Sequence, residues 1–198
     1  MPDVELVRAA ERGDAAEARR LLDEGTDVDS RDPTGRTAVT AAVYAGSAET
    51  VRVLVDAGAD VDLQDETRAN AFLATGEMGD VEVLREVLRA EPDLERTNRF
   101  GGTALIPAAD RGHVEVVREL LGTEIDVDHV NDLGWTALLE AVILGDGGPA
   151  HQEIVRLLVE AGADTGIADR DGVTSLEHAR RSGYREITAI LAEAESGN

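Results

Sequence analysis

Cysteine is absent from all 198 residues. Disulfides, thiolate metal sites and cysteine nucleophiles are therefore excluded at the outset. Lysine is missing too, so all 19 basic residues are arginine. Only five residues are Phe, Trp or Tyr, and the apolar 42% is carried by Ala, Val and Leu. That composition suits thin layers of closely packed helices better than a sandwich built around large rings. No apolar run approaches 18 residues and no apolar signal-like segment opens the chain, which predicts a soluble, cytoplasmic protein. Against the 19 arginines stand 41 acidic residues, a net charge of −22. Charge of this sign repels phosphate backbones and anionic lipid, so nucleic acid and membranes are excluded as expected partners. A basic protein or a cationic ligand fits better.

What the chain has in place of these is a beat. Asp27, Asp60, Asp93 and Asp126 recur every 33 residues, as do Thr37, Asn70, Thr103 and Thr136, and Gly46, Gly79 and Gly112. A fixed step of this size predicts stacked supersecondary units, each too small to bury its apolar face alone. Six units can be laid out, at about 2–31, 32–64, 65–97, 98–130, 131–168 and 169–198. The length is within the range of a single domain spanning 1–198.

Within a unit the local signals agree. Asp32-Pro33-Thr34-Gly35 and Asp169-Arg170-Asp171-Gly172 are turn sequences. Thr37, Thr103, Thr136 and Thr174 each precede a short apolar run, where a hydroxyl caps the first helix. Gly46, Gly79 and Gly112 stand where that helix ends. Second helices are expected over 48–57, 80–90, 114–121 and 152–161, where Leu and Val keep helical spacing.

Gly-Arg-Thr-Ala-Val (35–39), Gly-Trp-Thr-Ala-Leu (134–138), the run from Ala108 to Leu121 and Ala-Gly-Ala-Asp-Val-Asp (57–62) resemble ankyrin repeats over nearly the whole chain. The resemblance implies an all-α ankyrin-repeat solenoid of about six helix-turn-helix units joined by short β-turns. Its concave side would be lined by first helices and turns. It also implies a protein-binding role, catalysis being rare in the family. The family's Thr-Pro-Leu-His is nowhere intact, and its place is taken by Thr-Ala-Val-Thr, Asn-Ala-Phe-Leu, Thr-Ala-Leu-Ile, Thr-Ala-Leu-Leu and Thr-Ser-Leu-Glu. Apolar packing is expected to replace the missing His. The stretch from Arg99-Phe100-Gly101-Gly102 through Leu144-Gly145-Asp146-Gly147-Gly148-Pro149 is similar to a subset of stand-alone bacterial ankyrin proteins.

Aligned on the beat, Tyr44, Glu77 and Asp110 share a position near the end of the first helix, and Ala41, Ala74, Pro107 and Glu140 share one a turn earlier. Helices pack roughly 8–10 Å apart, so Glu77, Asp110 and Glu140 are expected to form an acidic row. Tyr44, Arg99, Phe100 and Trp135 complete the candidate partner-binding set. Carboxylates beside an aromatic suit an Arg- or Lys-bearing partner. The competing reading is that Phe100 and Trp135 seal the turn layer; it is favoured for Phe100, while Trp135 is expected to be partly exposed. Pro107 needs no functional account in a first helical turn.

An alternative function is a small-molecule or catalytic pocket in units three to five. There Asp110 and Glu140 would do acid–base work if burial split their pKa values, and Arg99 or Arg68 would meet a developing anion. No nucleophile–base spacing supports it, and the glycines at 145–148 lack the Lys of a phosphate loop. No cofactor or metal is expected. The four histidines are dispersed, and each Asp of the ladder can bond its local turn in place of calcium. His113 and His151 lie 38 apart rather than 33, so five residues have been added around Gly145–Pro149. They read either as a tolerated surface loop or as a backbone nest for a ligand. Glu49–Arg52, Glu82–Arg85, Glu115–Arg118 and Glu153–Arg156 are expected i,i+3 pairs on a solvated helix face. A monomer is expected.

Overall fold

The structure is a computed structural model and describes residues 2–197. Among the described residues there are twelve helices: α1 Pro2–Glu11, α2 Ala15–Asp23, α3 Ala38–Tyr44, α4 Ala48–Asp56, α5 Ala71–Met78, α6 Val81–Leu88, α7 Leu105–Asp110, α8 Val114–Leu121, α9 Ala137–Ile143, α10 Pro149–Glu160, α11 Ser175–Ser182 and α12 Arg185–Gly197. Among the described residues, extended pairing is confined to the isolated bridges Arg31–Thr37 and Ala168–Thr174. The chain forms two compact units, Met1–Arg99 and Phe100–Asn198.

In the first unit, α1–α2, α3–α4 and α5–α6 pack as pairs; α1, α3 and α5 form one row and α2, α4 and α6 the other. The second unit repeats the scheme, with rows α7–α9–α11 and α8–α10–α12. The first-row helices are short and rich in alanine because they are covered on several sides. In α3 every residue but Tyr44 is buried, and Ala71, Ala74, Ala108, Ala109, Ala137 and Ala141 are buried in α5, α7 and α9. Small side chains let these rows approach closely. The second-row helices contribute one apolar face each, through Leu54 and Leu84 in the first unit and Leu120, Ile154, Leu158 and Leu191 in the second. Leu73, Ile106 and Leu139, which stand where the ankyrin pattern has His, are likewise buried.

On the first-row helices α3, α5, α7, α9 and α11, four caps form and one fails. Thr37, Asn70, Thr136 and Thr174 accept the N–H three residues on, at 3.4, 2.8, 3.2 and 3.3 Å. Thr103 was expected to do the same, yet its hydroxyl is buried without a partner. The cause is Pro107. Elsewhere the carbonyl of the cap residue takes the N–H four residues on, as Thr37 does from Ala41 at 3.0 Å. Proline has no N–H to give. The Thr103 carbonyl draws in the Ile106 N–H instead, at 3.3 Å, and this is the donor that its own hydroxyl would have used.

The turns between units are built on a carboxylate or amide that folds back. Oδ1 of Asp32 accepts N–H groups from Thr34 and Arg36, Asp65 from Thr67 and Ala69, Asn131 from Leu133 and Trp135, and Asp169 from Asp171 and Val173. The aspartate ladder acts locally in the same way. Asp27, Asp60, Asp93, Asp126 and Asp164 each accept the N–H two residues on.

Candidate binding surface

In the first compact unit Tyr44 and Glu77 meet, the phenol lying 3.4 Å from Oε2. Tyr44 is half-buried, and burial, then the charge of Glu77, raise its pKa. Arg99 is exposed at the end of this unit.

The second unit holds the remaining candidates. Phe100 lies at a turn tip, and its carbonyl accepts the Asp132 N–H at 2.9 Å. The expectation that Phe100 seals the turn layer is overturned: it is 54% exposed. Tips project beyond the helices, and the equivalent Thr34 and Thr67 are exposed as well. Trp135 is half-buried, its backbone tied to Asn131 in both directions.

Glu140 departs furthest from the expected acidic row. It is 7% exposed, one turn into α9, and its Oε1 accepts from Asn131 Nδ2 at 2.7 Å. Burial pushes its pKa up to about 7 against the pull of the Asn131 N–H, and the Asp110 charge adds to the rise. It is thus partly neutral near pH 7. The signal was in the sequence, since Ala41 and Ala74 hold its register and small residues mark a covered position. In the last repeat the same nine-residue spacing reappears as Asp169 Oδ2 to His178 Nε2, 2.7 Å. The Val173 N–H, then His178, hold Asp169 low.

Asp110 is partly exposed at the end of α7, and its carbonyl accepts from His151 Nε2 at 2.8 Å. The other ring nitrogen of His151 faces Asp146 Oδ1 at 2.8 Å. This contact explains the five-residue insertion. Pro149 opens α10 at its first turn, so the insertion lengthens that helix at its start and does not act only as a loop. A side chain on Gly147 would collide with the ring of Tyr184, and one on Gly145 with the Ala141 carbonyl and His151. Tyr184 also donates to the Gly145 carbonyl at 2.9 Å. The Gly148 N–H is taken by Asp146, whose pKa that bond, then His151, lowers. The segment clasps neighbouring repeats, and the Gly148 N–H that a ligand nest would need is already used.

The second-row helices carry the expected pairs at 82–85, 115–118 and 153–156. Arg52 is the exception: it reaches across to Glu86 at 2.8 Å and not back to Glu49. Among the described residues no group of three or more His, Asp or Glu could hold a metal ion, and no helix is long and apolar enough to cross a membrane.

Rows of paired helices joined by Asx-folded turns define a repeat protein, and a family model places it. Ankyrin repeats (3 copies) match residues 6–65 and 71–169. The chain belongs to the ankyrin-repeat family. It is similar to an ankyrin repeat domain of Acinetobacter baumannii AYE, with 48% identity over 96% of this chain and 97% of that one and a TM-score of 0.92. A second solved ankyrin repeat protein matches at 41% identity over 95% and 96% of the two chains, TM-score 0.91. The ankyrin repeat protein YahD of Escherichia coli K12 is 47% identical over 55 residues, 28% of this chain and 27% of its own length. The fold is the all-helical ankyrin solenoid of these bacterial relatives, and ankyrin repeats generally act as protein–protein interaction modules.

Proposed function

We propose that this chain captures a basic protein partner through the first-row helices and turns of its compact units. Tyr44, Glu77 and Arg99 contribute in the first compact unit, and Phe100, Asp110 and Trp135 in the second; Glu140, buried against Asn131, is left out of the contact. The observation that carries this reading is the register of Glu77 and Asp110: carboxylates at one repeat position, not fully buried, on helices whose other faces are packed, in a chain of net charge −22. A preformed surface loses little ordering entropy on binding, and opposite charge speeds encounter.

A second reading, a small-molecule or catalytic pocket, draws on Glu140. A covered carboxyl with a pKa of about 7 beside the Asp110 charge has the profile of an acid–base group. One experiment separates the two. The wild type and a Glu77→Gln/Asp110→Asn variant are used to capture proteins from host lysate at low and high salt. A basic protein held by the wild type, released by salt and lost from the variant supports the interaction module. Retention of no protein by either, together with a thermal shift on adding a metabolite, would move the pocket to first place.

A further inference from the structure

His151 is the third residue of α10 and is 8% exposed. Burying an imidazole obliges each ring nitrogen to find a partner. A neutral ring offers one donor and one acceptor, and only the imidazolium offers two donors. Both partners of His151 are acceptors. Nε2 lies 2.8 Å from the Asp110 carbonyl and Nδ1 lies 2.8 Å from Asp146 Oδ1. A carbonyl cannot donate. Asp146 does not donate either, because the Gly148 N–H, then His151, hold its carboxyl below the ordinary range. The imidazolium is therefore the form that satisfies both contacts.

The ring is wedged in place. A Cβ on Gly112 would lie 3.5 Å from its Cε1, and one on Gly145 only 2.6 Å from its Cδ2. Tyr184 holds the Gly145 carbonyl and Gln152 Nε2 holds the Gly147 carbonyl, both at 2.9 Å. The part free to move is the Asp146 side chain, which is 81% exposed. A neutral ring that keeps its Nε2 proton presents a lone pair at Nδ1. A donor within its reach is the Asp146 N–H at 3.4 Å, while the carboxylate now faces a lone pair and has solvent open to it. The same Oδ1 accepts the Gly148 N–H at 2.8 Å, so its departure frees that donor too. Charged and titratable groups on the elements packed against α10 have other partners. Glu140 of α9 accepts from Asn131, Arg118 of α8 pairs with Glu115 and Glu153, and the Tyr184 hydroxyl stands at Gly145. Arg111 and His113 flank Gly112 in sequence, and the Asp110 carboxylate is partly exposed.

We infer that His151 and Asp146 form a proton-dependent clasp, which closes the 145–149 insertion onto the end of α7 when the ring is an imidazolium and opens the Asp146–Gly148 bend when the ring is neutral. The clasp needs no partner to operate, although it fixes the backbone of Asp110, a residue of the proposed contact. Its sign follows from linkage. A contact that favours the protonated ring is complete on the acid side of the histidine range and is lost as pH rises through it. Asp146 sets the other edge: its lowered carboxyl contributes above the ordinary 3.8, and that contribution is lost as pH falls below it. The clasp is closed between these limits.

The test is an NMR titration of the isotope-labelled full chain from about pH 5 to about pH 8.5, which spans the histidine range. It follows the His151 ring nitrogens, the Asp146 carboxyl carbon and the Gly148 amide. All three should move together, with protons on both ring nitrogens at the acid end and on Nε2 alone at the alkaline end. Asp146→Asn keeps an oxygen for the Gly148 N–H and removes the charge, so the midpoint of the ring should fall by about 0.5–1 pH unit. Glu140 changes charge in the same range. The titration is therefore repeated on Glu140→Gln, where the three signals should still move together. The clasp is overturned if Asp146 and Gly148 stay still while the ring titrates, or if their movement vanishes with Glu140. An unchanged midpoint in folded Asp146→Asn would overturn it as well. Should that variant not fold, the wild-type and Glu140→Gln titrations still return one answer or the other.

Discussion

Glu140 carries a cost that depends on pH. Its carboxyl titrates near 7 in the folded chain, above the ordinary 4.5, so the folded state holds a proton that the unfolded chain has released. Stability from this group therefore falls as pH rises from about 4.5 through 7, by about 2–3 kcal/mol at most. Glu140→Gln keeps an oxygen for the Asn131 amide and removes the titration. Urea unfolding should find the variant equal to wild type near pH 4.5 and more stable by about 1–3 kcal/mol at pH 8. A constant difference across that range would mean that Glu140 is solvated. Residue identity alone did not reveal this environment. A glutamate in a short helix reads as a surface group until Ala41 and Ala74, three and two repeats away, are seen to be buried.

At the scale of elements, the repeat beat located helices well where the signal was local. α8 spans Val114–Leu121 as its spacing indicates, and α4 and α6 end within two residues of expectation. It missed where backbone donors compete. α10 starts at Pro149 because proline suits the first helical turn, where no N–H is needed. α7 loses its cap because Pro107 withholds a donor from Thr103, two residues ahead of the helix, and no pattern of single residues encodes that exchange. A double-mutant cycle measures it. Thr103→Val should change stability by less than about 0.5 kcal/mol in the wild type, since the hydroxyl bonds nothing. After Pro107→Ala has restored the N–H, it should cost about 1 kcal/mol. Equal costs in both backgrounds would show that Pro107 is not what disables the cap.

For the whole molecule, the architecture was legible because a 33-residue period leaves few alternatives. The surface was only half legible. Tyr44 and Glu77 meet as their shared register implied. Exposure of Phe100 and burial of Glu140, however, depend on which faces the neighbouring repeats cover. The two helix rows also differ in character. Second-row arginines are largely committed to neighbouring carboxylates, as in Arg52–Glu86, Arg89–Asp56 and Arg118–Glu153, and these exposed pairs add little stability. The exposed large apolar side chains of the second compact unit, Phe100, Val130, Leu133 and Leu144, lie at its turns. The most direct measurement is amide hydrogen exchange on the chain, free and bound to the basic protein recovered from lysate. Binding should slow exchange in the turns at 98–103 and 128–135 and in α7 and α9, leaving α8 and α10 unchanged. Protection confined to α8, α10 and α12 would contradict the assignment of the binding face.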